Sequence, residues 1–106
     1  MNLELNKATK RNTQCHWVSL AGVRMLFSYS TVVAFQAQGK SFCRRNDWGP
    51  TTGRHMNETG VRTWTEVADE KTFENMIDLA LHDSIRNTWL AAIGVEPHYS
   101  LEEVTA

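Results

Sequence analysis

An alternation of apolar and polar residues with a period of two runs through the first half of the chain and predicts β-strands. Val23, Met25 and Phe27 share one side of this alternation. Gly-containing pairs at 21–22 and 38–39 are typical of turns and separate the strand segments. The predicted strands are residues 12–20, 23–29, 31–37 and 40–45.

The segment 31–37 departs from the alternation because residues 32–35, Val-Val-Ala-Phe, are all apolar. Such a run predicts a central strand that is covered on both faces, or one covered on a single face that self-associates through the other. The second interpretation makes the chain a homodimer. The next segment, 40–45, carries Lys and Arg residues that suit an exposed edge.

The second half shows the three- and four-residue spacing of an amphipathic helix. Phe73, Ile77 and Ala80 lie on one stripe of residues 69–87, and acidic residues fill the first turns, where the helix dipole favours them. This helix either breaks near residues 82–84 or continues through Ile93 to a stop at Gly94.

Shorter elements surround this long helix. A short helix is predicted at 52–59, with Thr51 or Thr52 as its N-cap and Gly60 after its end. Residues 61–67 alternate and form either a last strand, which we predict, or an ordered linker. Residues 100–103, Ser-Leu-Glu-Glu, predict one helical turn.

Together these elements predict an α+β fold with a four- or five-stranded antiparallel sheet, a short helix and one long C-terminal helix, both helices on one face. The expected organisation is a polar N-terminal arm at 1–11, a single α+β domain at 12–94 and a C-terminal tail at 95–106. A chain of 106 residues with 42% hydrophobic residues fits one globular domain.

The charge is distributed unevenly along the chain. Residues 1–62 hold nine Lys/Arg and three acidic residues, a net charge of +6, whereas residues 63–106 hold two and nine, a net charge of −7. The asymmetry indicates either a charged partner or two halves that complement each other in the fold. No apolar run is long enough to cross a membrane, and no secretory signal is recognisable, so we expect a cytosolic protein. Cys15 and Cys43 are therefore expected to be free, buried thiols.

Two segments resemble small uncharacterised bacteriophage proteins. These segments are residues 26–35, LFSYSTVVAF, and 47–57, DWGPTTGRHMN. The phage pattern has a strand near "SYxTxVA" followed by an aromatic residue and "TTxRHIN"; the chain departs from it at Gly49, Pro50 and Gly53. The resemblance implies a viral accessory protein made inside a bacterial cell. It implies no catalytic residue.

The start of the short helix is a candidate anion site. Free N–H groups at a helix N-terminus, hydroxyl groups and a guanidinium suit a phosphate of nucleic acid, a nucleotide or a phosphorylated small molecule. The competing interpretation is that the same residues cap the helix and hydrogen-bond the sheet. The candidate residues are Thr51, Thr52, Arg54, His55 and Asn57.

A basic band forms the second candidate. Cations interleaved with aromatic rings can follow a nucleic-acid strand, although such a band is also what a solvated edge strand shows. Its members are Lys40, Arg44, Arg45, Arg54 and Arg62, with Phe42 and Trp48 between them.

Metal and nucleophile chemistry find little support in the sequence. Cys15, His16, Cys43 and His55 lack the spacing of a zinc site, and no Gly-rich elbow accompanies a cysteine paired with His55 or His82. We therefore expect no metal, no cofactor and no enzymatic activity.

The acidic face of the long helix is the last candidate, formed by Glu66, Glu70, Glu74 and Asp78. Such a row either is solvated or binds a basic protein in place of nucleic-acid phosphates. Trp64 and Trp89 would add a hot spot if exposed. With the phage resemblance, this favours a non-enzymatic accessory protein that inhibits a host protein, for example an anti-CRISPR-like inhibitor of host defence. A nucleic-acid-binding module that uses residues 40–62 is the alternative.

Overall fold

The structure is a computed structural model that describes residues 3–8, 14–45 and 49–105. Over these ranges the strands are β1 (Leu3–Lys7), β2 (Cys15–Leu20), β3 (Val23–Ser28), β4 (Thr31–Ala37), β5 (Lys40–Arg44) and β6 (Thr65–Val67). The helices are α1 (Pro50–Thr59), α2 (Glu70–Ala92) and α3 (Ser100–Thr105), with a 3-10 turn at Val61–Thr63.

The six strands form one sheet in chain order, β1 to β6. The first five are antiparallel to their neighbours, whereas β6 is parallel to β5. A parallel neighbour requires a crossover, and α1 provides it. The predicted α+β class is confirmed, but the sheet is mixed and has more strands than predicted, because the supposed polar arm contributes β1.

Helices cover both faces of the sheet, so the prediction that both helices lie on one face is wrong. Phe42 and Cys43 are adjacent in β5 and belong to different hydrophobic clusters. The cluster with Phe42 contains Phe73 of α2 and Leu101 of α3, whereas the cluster with Cys43 contains Met56 of α1. We call the side of the sheet with Phe42 the α2 face and the side with Cys43 the α1 face.

An irregularity in β4 fits this arrangement. Leu26 pairs with Ala34 and Phe27 pairs with Val32, so Val33 is an extra residue in the ladder. Val33 and Ala34 are both fully buried in the cluster on the α1 face. Residues 33–35 are therefore buried within one copy of the chain and Val32 is half-buried, so the run gives no support to a homodimer.

The turns follow the predicted positions. Ala21–Gly22 and Gln38–Gly39 both have positive φ at each residue, the conformation of the tight turn that matches strand twist. Residues 61–67 form the 3-10 turn and β6 rather than one strand.

The ends of α1 show one wrong and one correct prediction. Gly49 precedes the helix without a side-chain cap and Pro50 occupies its first turn, so Thr51 and Thr52 are not N-caps. At the other end Gly60 has a left-handed φ of 78°, as expected for the residue that ends a helix.

The helix α3 is docked on α2 by one buried carboxylate. Asp83 of α2 is fully buried and accepts hydrogen bonds from the backbone N–H groups of Ser100 and Leu101, each at 2.9 Å. It also accepts from Gln38 Nε2 at 2.9 Å and pairs with Arg86 at 2.7 Å. A side chain from another helix thus caps α3, and the tail predicted to form a single turn is part of the core.

We expect Asp83→Asn to lower the free energy of unfolding by about 2 kcal/mol, because a carboxamide places N–H donors opposite the N–H groups of α3. Urea denaturation measures the change, and hydrogen exchange at 100–105 should accelerate. Asp78→Asn is the control, since Asp78 is exposed on the same helix. Equal stability of the two variants would contradict the capping role.

The contribution of Asp83 should also depend on pH. Burial alone would raise the pKa of Asp83, but hydrogen bonds from Leu101, Gln38 and Ser100 lower it to about 2 from an ordinary value of 3.8. Because the folded-state pKa is lowered, the stabilisation is complete above the ordinary pKa and is lost as the pH falls from about 4 to 2. The stability difference between the native chain and Asp83→Asn should shrink over that range in urea titrations. A constant difference would contradict this assignment.

Candidate functional site

Arg44 lies at the end of β5 and is held inside the fold. Its side chain is 6% exposed and pairs with Glu70 at 2.7 Å and with Glu74 at 3.8 Å. It also donates to the carbonyl oxygen of Val32 at 3.2 Å, and its guanidinium lies 5.2 Å from the centre of the Phe73 ring. These contacts leave Arg44 unsuited to the phosphate contact expected of the basic band.

A groove opens beside this ion pair, between the start of β4 and the first half of α2. It has a volume of about 410 Å³. Three carboxylates and one guanidinium line it, so the lining residues carry a net charge of −2. The groove therefore favours a cationic group, and Val32 and Ile77 offer apolar contacts to the stem of such a group. Its lining residues are Ser30, Thr31, Val32, Arg44, Glu70, Glu74, Ile77 and Asp78.

Glu66 does not belong with the other three predicted acidic residues. It lies in β6 opposite Cys43, a residue of the α1 face, whereas the next residue, Val67, packs against the cluster on the α2 face. The strand alternation therefore separates Glu66 from the groove, while Glu70, Glu74 and Asp78 come together there.

One flank of α2 is exposed over most of its length. Glu74, Asp78, Ile85 and Trp89 are spaced by four, seven and four residues, so they lie on one face of the helix. We call these four residues the α2 stripe. Trp89 is 72% exposed and Ile85 is also exposed. Asp83 and its neighbours on the opposite flank hold α3, which leaves the stripe outside the core.

The acidic half of this stripe was predicted from the sequence, and Trp89 was predicted to add a hot spot if exposed, but Ile85 was missed. Ile85 and Trp89 follow Asp78 by seven and eleven residues, a spacing that places all three side chains on one face of a helix. Trp64, in contrast, is half-buried and packs on Trp17, with 6.0 Å between ring centres.

The basic band is divided by the fold. Lys40 donates to the hydroxyl of Thr105 in α3 at 2.6 Å, and Arg44 lies in the ion pairs of the α2 face. Arg54 is exposed on α1, across the sheet, and Arg45 is exposed after β5. Trp48 lies outside the described residues.

The predicted anion site is partly occupied by the protein's own hydrogen bonds. The ring nitrogen Nδ1 of His55 lies 2.7 Å from the Ser28 hydroxyl, which lies 3.1 Å from the Thr52 hydroxyl. His55 is fully buried, and burial lowers its pKa, so the ring is neutral at neutral pH. These contacts join α1 to β3, as the capping and sheet-bonding interpretation expected of His55. Thr51 is half-buried, and Arg54 and Asn57 are exposed.

Both cysteines are buried free thiols, as predicted. Burial, with a smaller effect of Glu58, raises the pKa of Cys15 to about 11. Burial also raises the pKa of Cys43. Such thiols are poor nucleophiles at neutral pH. Among the described residues, no three His, Cys, Asp or Glu side chains are grouped closely enough to hold a metal ion.

Comparisons with known proteins identify one match. The profile of a family of unknown function (DUF8033) matches residues 1–75, more than half of the chain. No curated protein and no solved structure matches. Over the parts of the chain that the structure describes, no helix is long and apolar enough to span a membrane.

We expect Arg44→Ala to lower the free energy of unfolding by about 2 kcal/mol, because Glu70 and Glu74 lose their cation and the Val32 carbonyl loses a donor. Arg54→Ala is the matched control and should change it by less than about 0.5 kcal/mol. Chemical denaturation measures both values. Equal stability of the two variants would show that Arg44 is a surface cation available to ligands.

Proposed function

Since the chain belongs to a family of unknown function, DUF8033, we propose its role from its surface: it is a non-enzymatic binding protein that holds a basic partner protein on the α2 stripe. The observation that carries this proposal is the exposed row on one helix, acidic at Glu74 and Asp78 and apolar at Ile85 and Trp89.

The acidic end supplies charge complementarity. Glu70 and Glu74 are partly neutralised by Arg44, whereas Asp78 lies in the same groove without a described ion pair. A Lys or Arg side chain of the partner would place its charge near Asp78 and its aliphatic stem on Ile77. Such pairing sets the orientation of a complex and speeds its association.

The apolar end supplies the binding energy. Trp is enriched among residues whose truncation weakens protein complexes most, and Trp89 leaves most of its ring surface in solvent. From Glu74 to Trp89 the helix rises about 22 Å, at 1.5 Å per residue. A row of this length can contact one helix or one loop on the surface of a partner.

We propose the cellular location of this interaction from the resemblance to phage proteins. We propose that the partner is a host protein in the bacterial cytoplasm and that binding inhibits it, with nucleic-acid-binding defence effectors as the first class to test. Such effectors carry basic channels for nucleic acid, and an acidic helix competes for these channels.

Nucleic-acid binding is the less well supported alternative. Of the basic band, Arg44 is engaged by Glu70, and Lys40 contacts Thr105. Arg54 and Arg62 are exposed and remain as candidates for phosphate contact.

We expect a tagged native chain to retain one stoichiometric host protein from a nuclease-treated bacterial lysate. Asp78→Lys and Trp89→Ala should each reduce its recovery at least tenfold, because they remove the charge and the aromatic anchor. Quantitative mass spectrometry of the eluate measures the recovery.

The controls are Glu96→Lys and Val104→Ala, which reverse a carboxylate charge and shorten an apolar side chain at exposed positions away from the stripe. Both should retain the partner. A partner that binds the stripe variants and the controls equally, or no retained protein at all, would refute the proposal. Nucleic acid in the untreated eluate that nuclease removes would favour the alternative.

A further inference from the structure

The outer edge of β1 has a backbone pattern that follows from its pairing with β2. The N–H of Ala8 donates to the carbonyl of Cys15 at 2.9 Å, and the register continues through Asn6 opposite Trp17 and Glu4 opposite Ser19. In an antiparallel pair, alternate residues direct both backbone groups toward the neighbour. Glu4 and Asn6 therefore bond β2, whereas the N–H and C=O groups of Leu3, Leu5 and Lys7 point away from it.

This outward edge is symmetric about Leu5. β1 is the terminal strand of the sheet among the described residues, so no described strand pairs with these groups. We propose that β1 pairs antiparallel with β1 of a second copy of this chain, across a two-fold axis at Leu5. In this register Leu5 faces Leu5 of the second copy and Leu3 faces Lys7 of the second copy. Every outward N–H and C=O group of the strand then finds a partner.

The side chains suit the same register. Glu4 lies opposite Asn6 of the second copy, so a carboxylate meets an amide donor rather than a like charge. Leu3 and Leu5 are 69% and 65% exposed. They lie on the α2 face, beside their cross-strand neighbours Leu20 and Val18. Pairing brings the leucines of the two copies into one apolar row.

The other edge of the sheet offers no equivalent surface. β6 has three residues, and short edge strands resist pairing. One five-residue strand per copy buries less than the roughly 800 Å² per partner of a stable interface, so the dimer should be concentration-dependent, with a Kd in the micromolar range. The edge of β1 consists of backbone groups and shares no residue with the α2 stripe, so the proposed pairing stands independently of the proposed function.

Sedimentation velocity of the full chain between 5 µM and 1 mM tests the proposal. The native chain should shift from monomer to dimer. Leu5→Pro should raise the dimer Kd at least tenfold and leave the circular dichroism spectrum unchanged, because the lost N–H points outward and does not bond β2. Leu5→Ala is the matched control, since it shortens the same side chain but keeps that N–H, and it should still dimerise.

A crosslinking variant tests the register and does not depend on how proline is tolerated. Under mild oxidation Leu5→Cys should form a disulfide-linked dimer at least tenfold faster than Asn6→Cys, because only residue 5 faces itself across the axis. The native chain, whose two thiols are buried, should not crosslink. A native chain that stays monomeric at 1 mM, an unchanged Kd for Leu5→Pro, or equal crosslinking of the two cysteine variants would each overturn the proposal.

Discussion

The burial of β4 on both faces is the constraint on which the rest of the structure depends. Val33 and Phe35 have no contact with solvent, although they belong to different hydrophobic clusters. A strand of this kind needs a cover on each side of the sheet. The chain provides the first cover with α1, as it crosses over to make β6 parallel to β5, and the second with α2 and α3. The mixed sheet is thus the result of covering one central strand twice.

Two buried charged residues then fix the positions of α2 and α3, which form the second cover of the sheet. Arg44 holds the start of α2 through Glu70, and Asp83 holds α3 against the middle of α2. Glu70 lies in the first turn of α2, and Asp83 lies on the flank of α2 that faces α3. On the remaining flank Glu74 also contacts Arg44, at 3.8 Å, but the flank itself is exposed and has an acidic and an apolar half. The same packing that fixes α2 therefore determines which of its residues can meet another molecule.

The parts of the fold that the sequence predicted are those governed by local pattern. β3 and α2 have clear periodicity, β4 is marked by its continuous apolar run, and Gly60 ends α1 as its conformational freedom suggests. β1 was missed because Leu3 and Leu5 alternate with polar residues over only a few positions. The engagement of Arg44 by Glu70, 26 residues apart, arises only when α2 crosses the sheet. Of the four predicted acidic residues, all but Glu66 line one groove, and Arg44, which pairs with two of them, was assigned to nucleic acid.

The chain order of the two covers has a consequence during synthesis. The sheet and α1 are complete once Val67 has been made, but the hydrophobic cluster around Phe35 and Phe42 needs α2 and α3, which end at Thr105. At about 5–20 residues per second, a ribosome takes a few seconds to add that segment. During this interval the nascent sheet has one finished and one bare apolar side. A chaperone that binds nascent chains would therefore meet the α2 face first.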